Sequence, residues 1–444
     1  MNQAPRKRLA IVSSYSESCG NAAFTRVLHD TIEQYSEFDV EVVELDLRLL
    51  QSVNNYVRRK ADIHIGKLCK QLATFDAVNL QLEAGLYGTL PNDIMKRVRR
   101  LLAANPVMSV TLHSPRMSAP TASTMRHGIS ELLRFRIISG MKIILDELRG
   151  NVHVRINRSM IRDAITHGHR LIAHTRRAKY QIGVFFDYDK VDVHPLKIVP
   201  EGFEPDHSGL EKIRRELGFK PEDKLIGIFG YISAYKGHHD ALKAIEYLPE
   251  NYKLLIFGRQ HPQTIRANGE VDKYLGKLMG TIFLDEEKSR KHSLALARIR
   301  RAEENREPSL KDRVYFLGEL PDREFLDVAA SVDVAWLPYY ENGQDGSGIA
   351  SICLDASPRV VCSASFAFDQ LFKLVEYRNV SRFDIGNSIE LAHKTLLHIN
   401  DKPPQRPYGD ESVYTIRSQV DTYVKELTGA PVGDPAPVSD RKAG

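Results

Sequence analysis

Residues 224–244 read "KLIGIFGYISAYKGHHDALKA". The first seven form an apolar run closing on Gly230, the pattern of a strand buried on both faces. From His238 onward the apolar positions fall at helical spacing. Between them, a short loop carries Lys236 and Gly237 where strand gives way to helix. Strand, loop and helix in that order are half of a βαβ unit, so the stretch predicts a parallel sheet wrapped by helices. It also predicts an anion site. A helix N-terminus presents unpaired N–H groups and partial positive charge, Gly237 lets a backbone approach closely, and Lys236 adds a formal charge. The order Lys–Gly without a following Ser/Thr is not a P-loop, and the spacing is not GxGxxG. A solvated lysine in a βα loop is the plain alternative.

The same rhythm extends in both directions. Strands are expected at 8–15, 39–45, 75–82, 107–113, 169–175 and 197–200, with helices at 21–35 and 92–105. A Pro-, Gly- and charge-rich break at 200–222 follows. The pattern then restarts, with strands at 224–230, 252–258, 313–320, 333–340 and 359–365 and helices at 238–248 and 323–332. The expected class is α/β, with two Rossmann-like doubly wound domains facing a cleft. Their expected extents are 1–203 and 204–395, the second carrying an insertion at about 262–311. An amphipathic helix at 411–427, within a terminal segment 396–428, is expected to dock on a domain, and 429–444 reads as a disordered tail.

The bulk numbers agree with such a chain. Its 444 residues suffice for two domains of about 200 each. No run approaches the ~20 apolar residues of a membrane-spanning helix. The start reads as a first strand rather than a signal peptide. Cys19, Cys69, Cys353 and Cys362 are scattered, which suggests a reduced cytoplasm and no structural zinc. Net charge is only +5, but residues 91–180 hold 17 Lys/Arg against 5 Asp/Glu. That is either an ordinary solvated helical surface or a patch for an anionic partner: a membrane surface, a pyrophosphate-bearing lipid or, ranked last, nucleic acid.

In open α/β sheets, ligands bind beyond the carboxyl ends of the strands, and four more stretches fall there. "PYYENGQDGSGIASICLDAS" (338–357) follows an apolar run; Ser347 is placed to cap a helix, with Glu341, Asp345 and Asp355 close in sequence. Carboxylates beside a phosphate site make sense if the ligand also carries hydroxyls, as a nucleotide sugar does. "SSYSESCGNAAFT" (13–25) brings Gly20 to a strand–helix turn. His113 ends the strand of "VTLHSP", and Glu83 and Gly85 close "VNLQLEAGLYG".

Taken together, "CGNAAFT", "LQLEAGLYG", "TLHSP", "LIAHT", "KIVPEGF", "GYISAYKG", "LLIFG", "VYFLGEL", "DVAWLPYYENGQDGSG" and "RVVCS" occur in the order found in retaining GT-B-fold glycosyltransferases of family 4 (glycosyl transferases group 1). The resemblance spans about residues 8–395. It implies an NDP-sugar donor held mainly by the second domain, an acceptor held mainly by the first, and a C-terminal helix returning to the first. It implies that Lys236 contacts the donor diphosphate, that Ser347, Gly348 and Ile349 offer it N–H groups, that Gly20 and Asn21 approach from the other side, and that His113 sits beside the transferred sugar. Two positions depart from the family. Tyr231 stands where an arginine is common, with Arg259 a possible substitute, and Ile349 replaces the second of two glutamates eight apart. The segment Gln344–Gly348 resembles a QxSSG variant. Gln344 falls among the donor contacts, Glu341 or Asp345 would accept from sugar hydroxyls, and Asp355 is a ribose candidate.

The implied activity is transfer of a hexose to a saccharide or lipid-linked saccharide, in polysaccharide, capsule or lipopolysaccharide assembly. No metal or other cofactor would be required, and the setting would be the cytoplasm or the inner face of a membrane. Two rivals stand beside it. Asp187 and Asp189 in "IGVFFDYDK" could hold a divalent cation in a metal-dependent GT-A-type transferase. A non-catalytic GT-B-like binding subunit would explain Tyr231 and Ile349.

Overall fold

The computed structural model describes residues 6–16, 20–115, 117, 122–260, 272–283, 310–341, 343–374, 379–400 and 414–428. Most of the expected insertion and all of the expected tail at 429–444 lie outside the described residues.

The apolar runs become twelve strands in two six-stranded sheets, parallel throughout. The first sheet holds β1 (Lys7–Ser13), β2 (Phe38–Glu44), β3 (Ala77–Leu82), β4 (Met108–Leu112), β5 (Arg170–Ala173) and β6 (Val191–Val193), in the order β2-β1-β3-β4-β5-β6. The second holds β7 (Lys224–Phe229), β8 (Tyr252–Phe257), β9 (Val314–Gly318), β10 (Val334–Leu337), β11 (Val360–Ser363) and β12 (Val380–Phe383), in the order β12-β11-β10-β7-β8-β9. Central strands such as β3 and β4 are buried at every residue, which is why they read as unbroken apolar runs. Each sheet has its own core, the first around Leu80, Val110 and Leu171, the second around Ile228, Leu254 and Trp336.

The strand orders fix where a ligand can bind. The first sheet starts at β1, steps to β2, then crosses to β3, so its switch point lies between β1 and β3. The second winds out through β8 and β9, then returns to β10 on the other side of β7. Its switch point therefore lies between β7 and β10, and the loops after those strands are the two singled out above. Crevices at such reversals are the standard ligand sites of open α/β sheets.

Three details differ from the sequence reading. Residues 197–200 are not a strand; β6 is the short Val191–Val193 segment instead. Pro195 and Pro200 bracket 196–199 and lack the N–H a ladder needs. One compact unit is drawn from Met1–Pro195 and Thr415–Gly444, the other from Leu196–Tyr414, so the break falls before residue 203. The reason is packing: Lys197 forms a 2.9 Å ion pair with Asp355, and Ile198, Val199 and Phe203 are buried. Finally, the Ser388–Asn400 helix belongs to the second unit and only the Ile416–Thr428 helix to the first. There, Tyr423 packs against Phe24 (ring centroids 6.4 Å apart), and its hydroxyl lies 3.3 Å from Thr111 Oγ1.

The single tryptophan reports on the second unit. Trp336 is fully buried on β10 and donates its indole N–H to Thr395 Oγ1 at 2.9 Å. Thr395→Val keeps the shape but orphans that donor, which costs about 1–3 kcal/mol. Urea unfolding followed by tryptophan emission should show that loss, with the midpoint lowered and the slope unchanged.

Candidate functional site

The second unit builds its switch point from three side chains. Gly230 follows β7 with φ 94°, and a Cβ there would lie 3.1 Å from Ile349 Cγ1 and 3.6 Å from Lys236 Nζ. The loop then turns through a 3-10 segment, Ala234–Lys236, to Gly237 at φ 70°. The close approach that Gly237 allows is to the protein's own backbone: a Cβ would sit 1.8 Å from the carbonyl oxygen of Pro338. The Lys–Gly pair thus locks the β7 loop onto the end of β10 and points the lysine inward.

Lys236 is 3% exposed. Its ammonium donates to the Tyr339 hydroxyl and lies 4.1 Å from the centroid of that ring. Tyr339 Oη is in turn 3.3 Å from Ser347 Oγ. Ser347 caps the Gly348–Ala356 helix, its hydroxyl accepting from Ala350 N at 3.2 Å. The Gly348 and Ile349 amides, in the first turn, have no intrahelical acceptor. A cation, a phenol and a helix N-terminus thus form one hydrogen-bonded line, joining two loops about 110 residues apart. Burial pushes the Lys236 pKa down to about 7 and the Tyr339 pKa well above its usual value. Among the described residues no carboxylate pairs with this lysine.

Other expected site residues are occupied differently. Glu341 is exposed and braces its loop: Oε1 accepts from Gly343 N at 2.8 Å, and Oε2 from Phe366 N at 2.8 Å and Ser365 Oγ at 3.2 Å. Gln344 Nε2 donates to the carbonyl of Gly346 at 2.6 Å, and Asp345 is buried. Asp355, at the far end of the Gly348–Ala356 helix, is buried against Lys197, with the Tyr414 hydroxyl 3.2 Å away. Its carboxylate is engaged in that internal pair. Arg259 binds Glu319 at 2.9 Å, and its guanidinium stands 5.8 Å from the centroid of the Tyr231 ring. The Arg259 side chain is thus placed beside Tyr231. Tyr339 and Lys197 were missed; a tyrosine closing an apolar run and a lysine inside one were the only signals.

In the first unit, Gly20 and Asn21 open the Gly20–Tyr35 helix after β1; Gly20 is exposed with open space at its Cβ. Glu83 precedes the short Ala84–Tyr87 helix after β3, and the Gly85 carbonyl accepts from Gln51 Nε2 at 2.8 Å. His113 follows β4 in a buried polar chain. Its Nε2 lies 2.6 Å from Gln81 Oε1, and its Nδ1 is 3.3 Å from His174 Nε2. His174 Nδ1 is 3.0 Å from the carbonyl of His194, and the Phe24 ring packs edge-on against both imidazoles. Burial holds His174 at about 4 and His113 well below the usual imidazole value, so both are neutral at pH 7. A backbone carbonyl and a carboxamide oxygen can only accept, so His174 donates from Nδ1 to the His194 carbonyl and His113 donates from Nε2 to Gln81 Oε1.

Asp187 and Asp189 follow the Arg176–Phe186 helix, Asp187 in a left-handed C-cap, beside a shallow groove lined by Arg176, Lys179 and Tyr180. Among the described residues no group of three or more His, Cys, Asp or Glu side chains is arranged to hold a metal ion.

No known protein family and no curated protein sequence matches the chain. Solved structures do match it. HepE of Anabaena, in complex with UDP and glucose, aligns with a TM-score of 0.53 at 15% identity, covering 95% of both chains. Sucrose-phosphate synthase of Thermosynechococcus elongatus aligns with 0.56 at 13% identity, over 96% of this chain and all of that one. A UDP-forming α,α-trehalose-phosphate synthase of Burkholderia xenovorans, with glucose-6-phosphate, aligns with 0.58 at 12% identity, over 95% of this chain and all of that one. Two six-stranded Rossmann-like sheets with full-length similarity to these proteins define the GT-B fold. The GT-A alternative built on Asp187 and Asp189 falls with it, because that reading has no place for the second sheet.

An uncompensated buried lysine weighs on stability in a pH-dependent way. Unfolded, Lys236 titrates near its ordinary 10.5; folded, near 7. Between those values the unfolded chain binds more protons, so stability rises with pH; below about 7 the penalty is complete. Lys236→Met should therefore raise Tm at pH 6, with the gain shrinking towards pH 10 in parallel thermal melts.

Proposed function

We propose that this protein is a retaining glycosyltransferase that moves a hexose from a nucleoside diphosphate sugar to a saccharide or lipid-linked saccharide. The pathways that suit it are polysaccharide, capsule or lipopolysaccharide assembly, at the cytoplasmic face of a membrane. The observation that carries the reading is the Lys236–Tyr339–Ser347 line at the second switch point. It is a preformed anion site on a fold shared with proteins solved with UDP, UDP-glucose or a sugar phosphate. No described helix is long and apolar enough to cross a membrane.

In this reading the donor diphosphate lies against the Gly348 and Ile349 amides with Lys236 beside it. As the glycosidic C–O bond breaks, charge grows on the departing phosphate. The ammonium and the helix N-terminus oppose that charge, in the role a divalent ion plays elsewhere, so no metal is required. The acceptor hydroxyl attacks from the same face, and its proton passes to the leaving phosphate oxygen. That route needs no strong general-base pair, in keeping with Glu341 being spent on its own loop. By the family resemblance, Gly20 and Asn21 would also serve the donor diphosphate. His113 would face the sugar, its position held by Gln81 and His174.

Phosphate binding should favour the protonated lysine. UDP affinity, measured by calorimetry without metal, should be level below pH 7 and fall by up to about tenfold per pH unit above it. Of GDP-mannose, UDP-glucose, UDP-galactose and UDP-N-acetylglucosamine, at least one should raise Tm in the wild type and none in Lys236→Ala. With that donor, the variant should lose about 10²–10³ in kcat. A Lys236→Ala protein that binds and turns over donor normally would refute the assignment.

A further inference from the structure

The basic stretch of the first unit ends in a helical hairpin whose tip the core does not use. The helices Ala122–Leu133 and Ile137–Thr166 pack on one another and meet in a three-residue turn. Around that turn the large apolar side chains face water: Leu133 is 77% exposed, Phe135 91%, Ile137 57%, Ile138 87% and Met141 52%. The turn itself is well formed. Arg136 N donates to the Glu131 carbonyl at 2.9 Å and Phe135 N to that of Leu132 at 3.0 Å, the paired bonds of a Schellman cap. In that motif the left-handed position belongs to glycine, yet Phe135 occupies it at φ 59°. Neither backbone preference nor packing accounts for the largest exposed ring of the hairpin standing there.

Charge distinguishes this tip from an ordinary apolar patch. Arg134 and Arg136 flank Phe135, with side chains 67% and 69% exposed. Both reach one buried carboxylate, Glu131, at 3.6 and 3.3 Å, so among the described residues two guanidiniums share one carboxylate. Across residues 122–166 there are eight Lys/Arg against four Asp/Glu. Apolar side chains at the end of a projection, bordered by guanidiniums on long stems, suit the boundary of an anionic bilayer. The rings and branched chains enter the acyl region while the arginine heads stay among the phosphates.

We propose that residues 133–141 are a membrane-docking tip that inserts into an anionic lipid surface. This deepens the reading of a membrane-presented acceptor but does not depend on the donor chemistry. The occupant is the bilayer; a second copy of the chain at this tip is the competing outcome.

The test is flotation of the full-length protein with vesicles of phosphatidylcholine alone or with 30% phosphatidylglycerol, together with light scattering for self-association. Wild type should float with the anionic vesicles and lose binding as salt rises. Phe135→Asp combined with Ile138→Asp should raise the lipid concentration for half-binding at least tenfold, with Trp336 emission and UDP affinity unchanged. Arg134→Gln combined with Arg136→Gln should weaken binding by roughly fivefold per arginine and flatten the salt dependence. Wild type failing to float, or the aspartate variant floating normally, would overturn the proposal. So would a wild-type dimer that the aspartate variant dissolves without any lipid binding. UDP affinity in the same samples separates failure of the docking surface from failure of the transferase reading.

Discussion

A buried ammonium held by a phenol is the constraint on which the site depends. Lys236 reaches Tyr339, Tyr339 reaches Ser347, and Ser347 starts the Gly348–Ala356 helix. Each link needs the one before it. Gly237 admits no side chain because the Pro338 carbonyl fills that space, and the resulting turn sends the lysine inward. The result is a desolvated charge with no carboxylate partner among the described residues. Such an arrangement costs stability and is expected where function requires it. In the proposed reading, the donor diphosphate is the missing partner.

The two units differ in their electrostatics. In the second, positive potential gathers at the reversal between β7 and β10. In the first, the polar chain through Gln81, His113 and His174 is neutral, well hydrogen-bonded and enclosed by Phe24, and the Ile416–Thr428 helix contributes Tyr423 beside Thr111. In the proposed reading, the second unit opposes charge and the first orients a polar group without adding charge. Carboxylates are spent on structure: Glu341 braces a loop, Asp355 pairs with Lys197, and Glu319 pairs with Arg259.

Much of this was legible in the sequence because buried parallel strands write themselves as continuous apolar runs. β6 and β12 were not, being short segments at the sheet edges with half-exposed residues. The 122–166 hairpin was invisible to periodicity, since apolar and basic residues alternate around the long helix without a stripe. Lys236 and Ser347 could be found because strand–loop–helix context marks both. Their connection could not, because Tyr339 reads as the end of a strand and nothing local says its hydroxyl bridges two loops. Likewise the pairing of Asp355 with Lys197, 158 positions away, is a tertiary fact that no local pattern encodes.

The most direct test is the titration of Lys236 itself. Lysine side chains labelled at Cε, with the Lys236→Met variant to assign the signal, report the charge of this one amine by NMR. The account predicts a midpoint near pH 7 in the free protein, moved upward by a unit or more when UDP is added. A midpoint near 10.5 in the free protein, or one that UDP does not move, would contradict it.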